Sequence, residues 1–199
     1  MLLRCQLLTK AQLMNMYTWL PKLKLVIIGI IAPLMFSVST QAASKMEIDL
    51  YVEDAMKQFQ MHTNAGAKLA EEAKGILIFP KIYKAGVILG GEYGEGVLKA
   101  DDTTLNYYGV AAGSIGVQLG AQIRSQVILF MTDEALNEFR NSDGWEIGVD
   151  GSVAVATIGT GGEIDTHTAQ QSIIGFIFSN KGLMFNLNLE GSKVFRISR

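Results

Sequence analysis

The chain is poor in the residues that do chemistry. It has one cysteine, Cys5, and two histidines, His62 and His167, among 199 residues. A lone cysteine excludes an intrachain disulfide, and beyond position 5 there is neither a thiol nucleophile nor a thiolate metal ligand. No His/Cys/Asp/Glu cluster has the spacing of a metal site. His167 and Asp165 could pair, but no Gly-x-Ser-x-Gly elbow supplies a nucleophile for them. Gly159-Thr160-Gly161-Gly162 and Gly90-Gly91 lack the Lys-Ser/Thr of a phosphate loop and read as turns. The carboxylate pairs Glu71-Glu72, Asp101-Asp102 and Glu92/Glu95 read as solvated acids at turns and helix ends. The expectation is a protein without catalysis, cofactor or metal.

Long apolar runs are also missing. The longest uncharged apolar stretch, Leu25 to Val38, has 14 residues, short of the roughly 20 that span a bilayer. Lys22 and Lys24 precede it, and Thr40 and Ala42 occupy the −3 and −1 positions of a cleavage site. This is the pattern of a signal peptide over 1–42, with an uncleaved anchor as the alternative and Met14 or Met16 as alternative starts. The leader holds four of the 17 basic residues and no acid, which leaves 13 basic against 19 acidic residues, a net charge of −6 for 43–199. Global attraction to nucleic acid or to an anionic membrane is not expected, so any such binding must be local. Cys5 lies ahead of the apolar stretch, not at its end where a lipid-modified cysteine would be.

What remains reads as one domain, 43–199. Ser44 and Glu47 have capping-box spacing. Ile48, Val52, Ala55, Met56 and Phe59 recur at helical intervals, which predicts an amphipathic helix to about His62. A second helix is expected over Ala67–Lys74, with Gly75 as its C′ residue. From Gly75 the pattern changes to short apolar runs separated by glycine. Strands are expected at Ile76–Phe79, Gly86–Leu89, Gly94–Lys99, Leu105–Val110, Ser114–Ala121, Val127–Met131, Trp145–Val149, Ser152–Ile158, Ser172–Ser179, Leu183–Leu189 and Lys193–Ile197, with turns at Asp101-Asp102 and Asn180-Lys181-Gly182. The uninterrupted apolar run Val127–Met131 predicts a strand buried on both faces. A short helix, Glu134–Arg140, is expected after a cap at Thr132 or Asp133. The fold class is therefore α+β: N-terminal amphipathic helices packed on a strongly curved, Gly-rich antiparallel sheet or barrel-like body.

One local feature points outward. Pro80 ends an apolar run and is followed by Lys81, Ile82, Tyr83 and Lys84, which read as a basic link between two short strands. Lys74, Lys81 and Lys84, with Phe79 and Tyr83 as shallow apolar contacts, form a candidate lipid-binding set. Each lysine near an anionic surface contributes about 1 kcal/mol. The competing reading makes these lysines guards of a strand edge.

Ala73-Lys74-Gly75-Ile76, Phe79-Pro80, Lys84-Ala85-Gly86, Gly90-Gly91 and Gly94-x-Gly96-Val97-Leu98 together resemble the opening signature of the SYLF family. Gly113-Ser114-x-Gly116-x-Gln118-x-Gly120-Ala121-Gln122, Val127–Met131, Ala135 to Phe139 and Gly151-Ser152-Val153-Ala154-Val155-Ala156 continue it. Two departures are Asn106-Tyr107-Tyr108, where many relatives carry Trp-Ser, and the missing lipoprotein cysteine. The resemblance implies a non-catalytic module of the bacterial envelope that contacts a phospholipid or membrane surface, located in the periplasm. A periplasmic structural or protein-interaction module with an envelope protein partner is the alternative. Nucleic acid is not an expected partner. Actin, tied to fungal members, is not expected to meet an exported bacterial protein.

Overall fold

The computed structural model describes residues 43–86, 89–115, 120–147, 150, 153–157, 166–178 and 191–199, all within one compact unit, Ala43–Arg199. The expected leader 1–42, the link 180–182 and the strand 183–189 lie outside the described residues.

Helix α1 (Lys45–His62) starts where expected, with the Ser44 hydroxyl accepting from the Glu47 N–H at 3.2 Å. Its buried stripe is Ile48, Val52, Ala55 and Phe59, the i, i+4, i+7, i+11 ladder of one helical face. Thr63 ends it and caps α2 (Asn64–Glu72) by accepting from the Gly66 N–H at 3.0 Å. The second helix thus begins earlier than its apolar pattern indicated, because the cap sets the start. Gly75 is not its C′ residue. The Lys74 N–H already bonds the Phe130 carbonyl at 2.8 Å, and Gly75 opens the first strand.

That strand, β1, runs without a turn over Gly75–Gly86. It is followed by β2 (Leu89–Ala100), β3 (Thr103–Ile115), β4 (Gly120–Phe130), α3 (Asp133–Asn141), β5 (Trp145–Glu146), β6 (Ala154–Thr157), α4 (Thr166–Ala169), β7 (Ile173–Phe178) and β8 (Lys193–Ile197). One eight-stranded sheet results, ordered β5-β8-β3-β2-β1-β4-β7-β6. It curls strongly into a half-barrel. Seven strands pair antiparallel, and β6 joins β7 in parallel at the edge. The α+β curved-sheet architecture is the one expected, with that parallel edge as an addition.

Both faces of the sheet are covered. On one, α1 lies over Ile78, Val97, Tyr107, Val127, Leu129 and Phe176. On the other, Leu136 and Phe139 of α3 and Trp145 pack against Leu77, Phe79, Phe130 and Tyr108. Phe139 centres the second layer, 4.9 Å from the rings of Phe130 and Tyr108 and edge-on to Trp145 at 5.4 Å. This double cover explains why Val127–Phe130 is apolar at every position: alternate side chains enter different cores.

Pro80, read from sequence as the end of a strand, sits inside β1. It falls at a bulge where the register slips against both neighbours, between Ile78 and Lys81 facing β2 and between Phe79 and Ile82 facing β4. A bulge is where a strand tolerates a residue with no N–H. The Pro80 carbonyl is not orphaned, since it accepts from the buried Ser125 hydroxyl at 2.8 Å.

The β2–β3 turn is Asp101-Asp102, as expected, with φ of 48° and 61°. Two successive positive φ values define the tight hairpin turn that favours Asn-Gly. Asp101→Asn with Asp102→Gly should therefore stabilise the domain by about 1 kcal/mol. A lower urea midpoint for this variant would contradict that backbone assignment.

Candidate membrane-contact face

The five residues singled out from sequence do not form one cluster. Lys74 and Lys84 lie ten residues apart along an extended chain, roughly 30 Å. Phe79 is fully buried in the α3-side core and is not available as a shallow contact. Lys81 is occupied: its Nζ sits 3.1 Å from the ring centroid of Tyr51 on α1, a cation–π contact that ties helix to bulge. Lys84 is half-buried on the opposite face from Lys81, cross-strand from Glu92 and Gln122. Tyr83 is 54% exposed, on the α1 face, and Lys74 is exposed at the far end of the strand.

Register gives Tyr83 partners that no local pattern revealed. It stands opposite Tyr93 on β2 and Ile123 on β4, and these are 45% and 51% exposed. Ile123, Tyr83 and Tyr93 thus make an apolar row across three adjacent strands, about 10 Å from the first to the last. The next row outward on that face contains Ala85, Gly91 and Gly113. A Cβ at Gly113 would meet nothing within 4 Å, and one at Gly91 only the Ala112 carbonyl at 3.8 Å. No side chain on these positions shields the row. The sequence did hold the signal: pairing Gly86 with Gly90 places Tyr83 against Tyr93. Reading Pro80–Lys84 as the turn hid it.

Charge around the row is arranged so that the acids of β2 are neutralised. Glu92 pairs with Arg124 at 2.5 Å on the α3 side and also accepts from the Ser192 hydroxyl at 3.3 Å. Glu95, on the row's own face, pairs with Arg199 and accepts from the Tyr93 phenol at 2.8 Å. Burial, together with the Glu95 carboxylate, pushes the Tyr93 phenol up to about 12. It stays neutral at any physiological pH. Six of the exposed acids lie at the other end of the same strands, Glu71, Glu72, Asp101, Asp102, Asp133 and Glu134, with Lys74 and Lys99 beside them. The domain is polar along its strands, apolar at one end and acidic at the other.

Tyr107 and Tyr108, the departure from the Trp-Ser pair, are structural here. They enter opposite cores. Tyr107 donates to both carboxylate oxygens of Asp49 on α1 at 2.8 and 3.0 Å, and Lys45 lies 5.4 Å from its ring. Burial, then the hydrogen bond to Asp49, raises the Tyr107 phenol from 10.0 to about 12. At alkaline pH the unfolded chain loses this proton first, so the native state binds more protons and stability falls as pH rises. Urea midpoints should hold up to about pH 10 and decline toward pH 12. Tyr107→Phe should be less stable at pH 8 but show a shallower decline. An equally steep decline in that variant would show that Tyr107 does not contribute to it.

Among the described residues no group of His, Cys, Asp and Glu could hold a metal ion, and no helix is long and apolar enough to cross a membrane. The fold and this face describe a curled-sheet domain with a helix-covered core and, among the described residues, an exposed row of two tyrosines and an isoleucine. Residues 111–198 match the family described as Ysc84: Las17-binding protein actin regulator. That match covers 88 of the 199 residues and is consistent with the resemblance to the SYLF family. The match begins within β3, so the glycine-rich blocks at 73–98 lie ahead of the matched residues. No curated protein matches the sequence.

Proposed function

We propose that this chain is a non-catalytic lipid-binding module of the bacterial envelope, peripheral to the membrane and periplasmic, which contacts anionic phospholipid with the apolar end of its sheet. The observation that carries the reading is the exposed row Ile123–Tyr83–Tyr93 beside bare glycine and alanine backbone. Aromatic rings with a polar tip suit the headgroup boundary. Support comes also from the SYLF match, from the leader-like pattern of 1–42, and from the charge gradient. An anionic surface repels the acidic end and so favours docking by the opposite end, where Lys84 adds about 1 kcal/mol of attraction. The actin regulation named for the matched family is not carried over, since a periplasmic protein would not meet actin.

The test is co-sedimentation of the full chain with phosphatidylglycerol/phosphatidylcholine vesicles. Tyr83→Ser, Tyr93→Ser and Ile123→Ser combined should lower vesicle affinity at least tenfold, since about 1 kcal/mol is expected from each half-buried side chain on partial burial. Lys84→Glu should lower it less and flatten its salt dependence. Undiminished binding by the triple variant would reject this face, and indifference to phosphatidylglycerol content would reject the anionic preference.

A further inference from the structure

At the acidic end of the sheet, α1, α2 and the β2–β3 hairpin enclose a groove of about 900 Å³, at the upper end of the size range of ligand pockets. Its apolar lining includes Val52 and Met56 of α1, Ala70 of α2 and Ile76 of β1. Its rim carries Asp49 and Glu53 on α1, Glu71 on α2, and Asp101 and Asp102 on the hairpin, against Lys99 as the one cation in the lining. Asp49 and Glu53 are engaged, by Tyr107 and Lys57 respectively. Glu71, Asp101 and Asp102 are exposed and make no ion pair among the described residues.

We propose that this groove receives a basic amphipathic segment of a partner protein, its apolar stripe on the floor and its lysines or arginines toward the rim. Charge complementarity decides the occupant. The free carboxylates stand on two sides of a polar-rimmed channel, on α2 and on the hairpin, with the partly exposed Met56, Ala70 and Ile76 between them, which matches cations spaced along both flanks of an apolar stripe. A quaternary ammonium headgroup would call for an aromatic cage, and the lining contains no aromatic residue. An anionic lipid is repelled by the same carboxylates. The groove is lined at the strand ends remote from the Tyr83 row, so it stays open while that row touches a membrane. This inference is independent of the lipid reading.

The experiment titrates a labelled Leu/Lys amphipathic helical peptide with the full chain in the absence of lipid and measures fluorescence anisotropy, with peptide alone as the blank. Saturable binding is expected, weakened at least tenfold in Glu71→Gln/Asp101→Asn/Asp102→Asn, whose asparagines accept the positive φ of the turn. Ala70→Phe, which fills the groove without altering charge, should weaken it to a similar degree while melting like the parent chain. Tyr83→Ser/Tyr93→Ser should leave it unchanged, which separates this outcome from failure of the membrane reading. Equal binding of a shuffled peptide of the same composition, or full binding by Ala70→Phe, would overturn the proposal in favour of unspecific charge attraction. Self-association of the chain that competes with peptide and is abolished by Ala70→Phe would overturn it in favour of a second copy as occupant.

Discussion

Gly96→Ala is expected to destabilise the domain by about 3–5 kcal/mol, a large share of the roughly 5–15 kcal/mol that holds a domain folded. A Cβ at this position would lie 2.0 Å from the Ile78 carbonyl oxygen, and 2.8 Å from both the Ile78 carbonyl carbon and a ring carbon of Phe79. Neither neighbour has room to retreat. Ile78 is held in register by Val97 on one side and Val127 on the other, and Phe79 is fully buried. The close approach belongs to the bulge, where the step at Pro80 brings the β1 backbone against β2. Gly91→Ala is the internal comparison. It lies on the same strand but is exposed, with the nearest atom at 3.8 Å. It should be neutral, or stabilising by about 0.5 kcal/mol through the less flexible unfolded chain. Urea denaturation followed by fluorescence of the buried Trp145 measures both. A Gly96→Ala variant within 1 kcal/mol of the parent would mean that β1 and β2 do not meet as described.

The bulge also shows where sequence reasoning stops. Helix α1 was legible because its signal is local: a serine cap and apolar residues at helical spacing. The Asp101-Asp102 hairpin and the doubly buried strand around Val127 were legible for the same reason. Proline in an apolar run normally ends a strand, and only the tertiary pairing of β1 with both neighbours makes Pro80 part of a bulge. That single inversion displaced the candidate site. It placed Lys81 and Lys84 in a turn and offered Phe79 to the surface, while the residues that do stand together, Tyr83, Tyr93 and Ile123, are joined only by register. The groove at the opposite end needs three elements at once, so no stretch of sequence displays it.

Arg124 and Glu92 carry the same lesson into energetics, since they are 32 positions apart and meet across the intervening strand β1. Both side chains are almost wholly buried, at 2% and 8% exposure. Coulomb attraction in such a site roughly offsets the loss of hydration, but removing one partner leaves the other charge buried alone. Arg124→Met should therefore cost about 3–5 kcal/mol. The pairing is also incompletely satisfied. Arg124 Nη1, and both amide atoms of Gln126 two residues along β4 on the same face, are buried without a hydrogen-bond partner. Unmade bonds of this kind each carry a penalty of about 1–3 kcal/mol. The combined variant Arg124→Met/Glu92→Leu should accordingly regain most of the stability lost in the single one and fall within about 1 kcal/mol of the parent, or exceed it. A double variant as unstable as Arg124→Met would show instead that the ion pair stabilises the curl of the sheet in its own right. The vesicle assay on the double variant separates the two roles: if the pair serves only to neutralise Glu92 beneath the exposed row, lipid affinity should remain that of the parent chain.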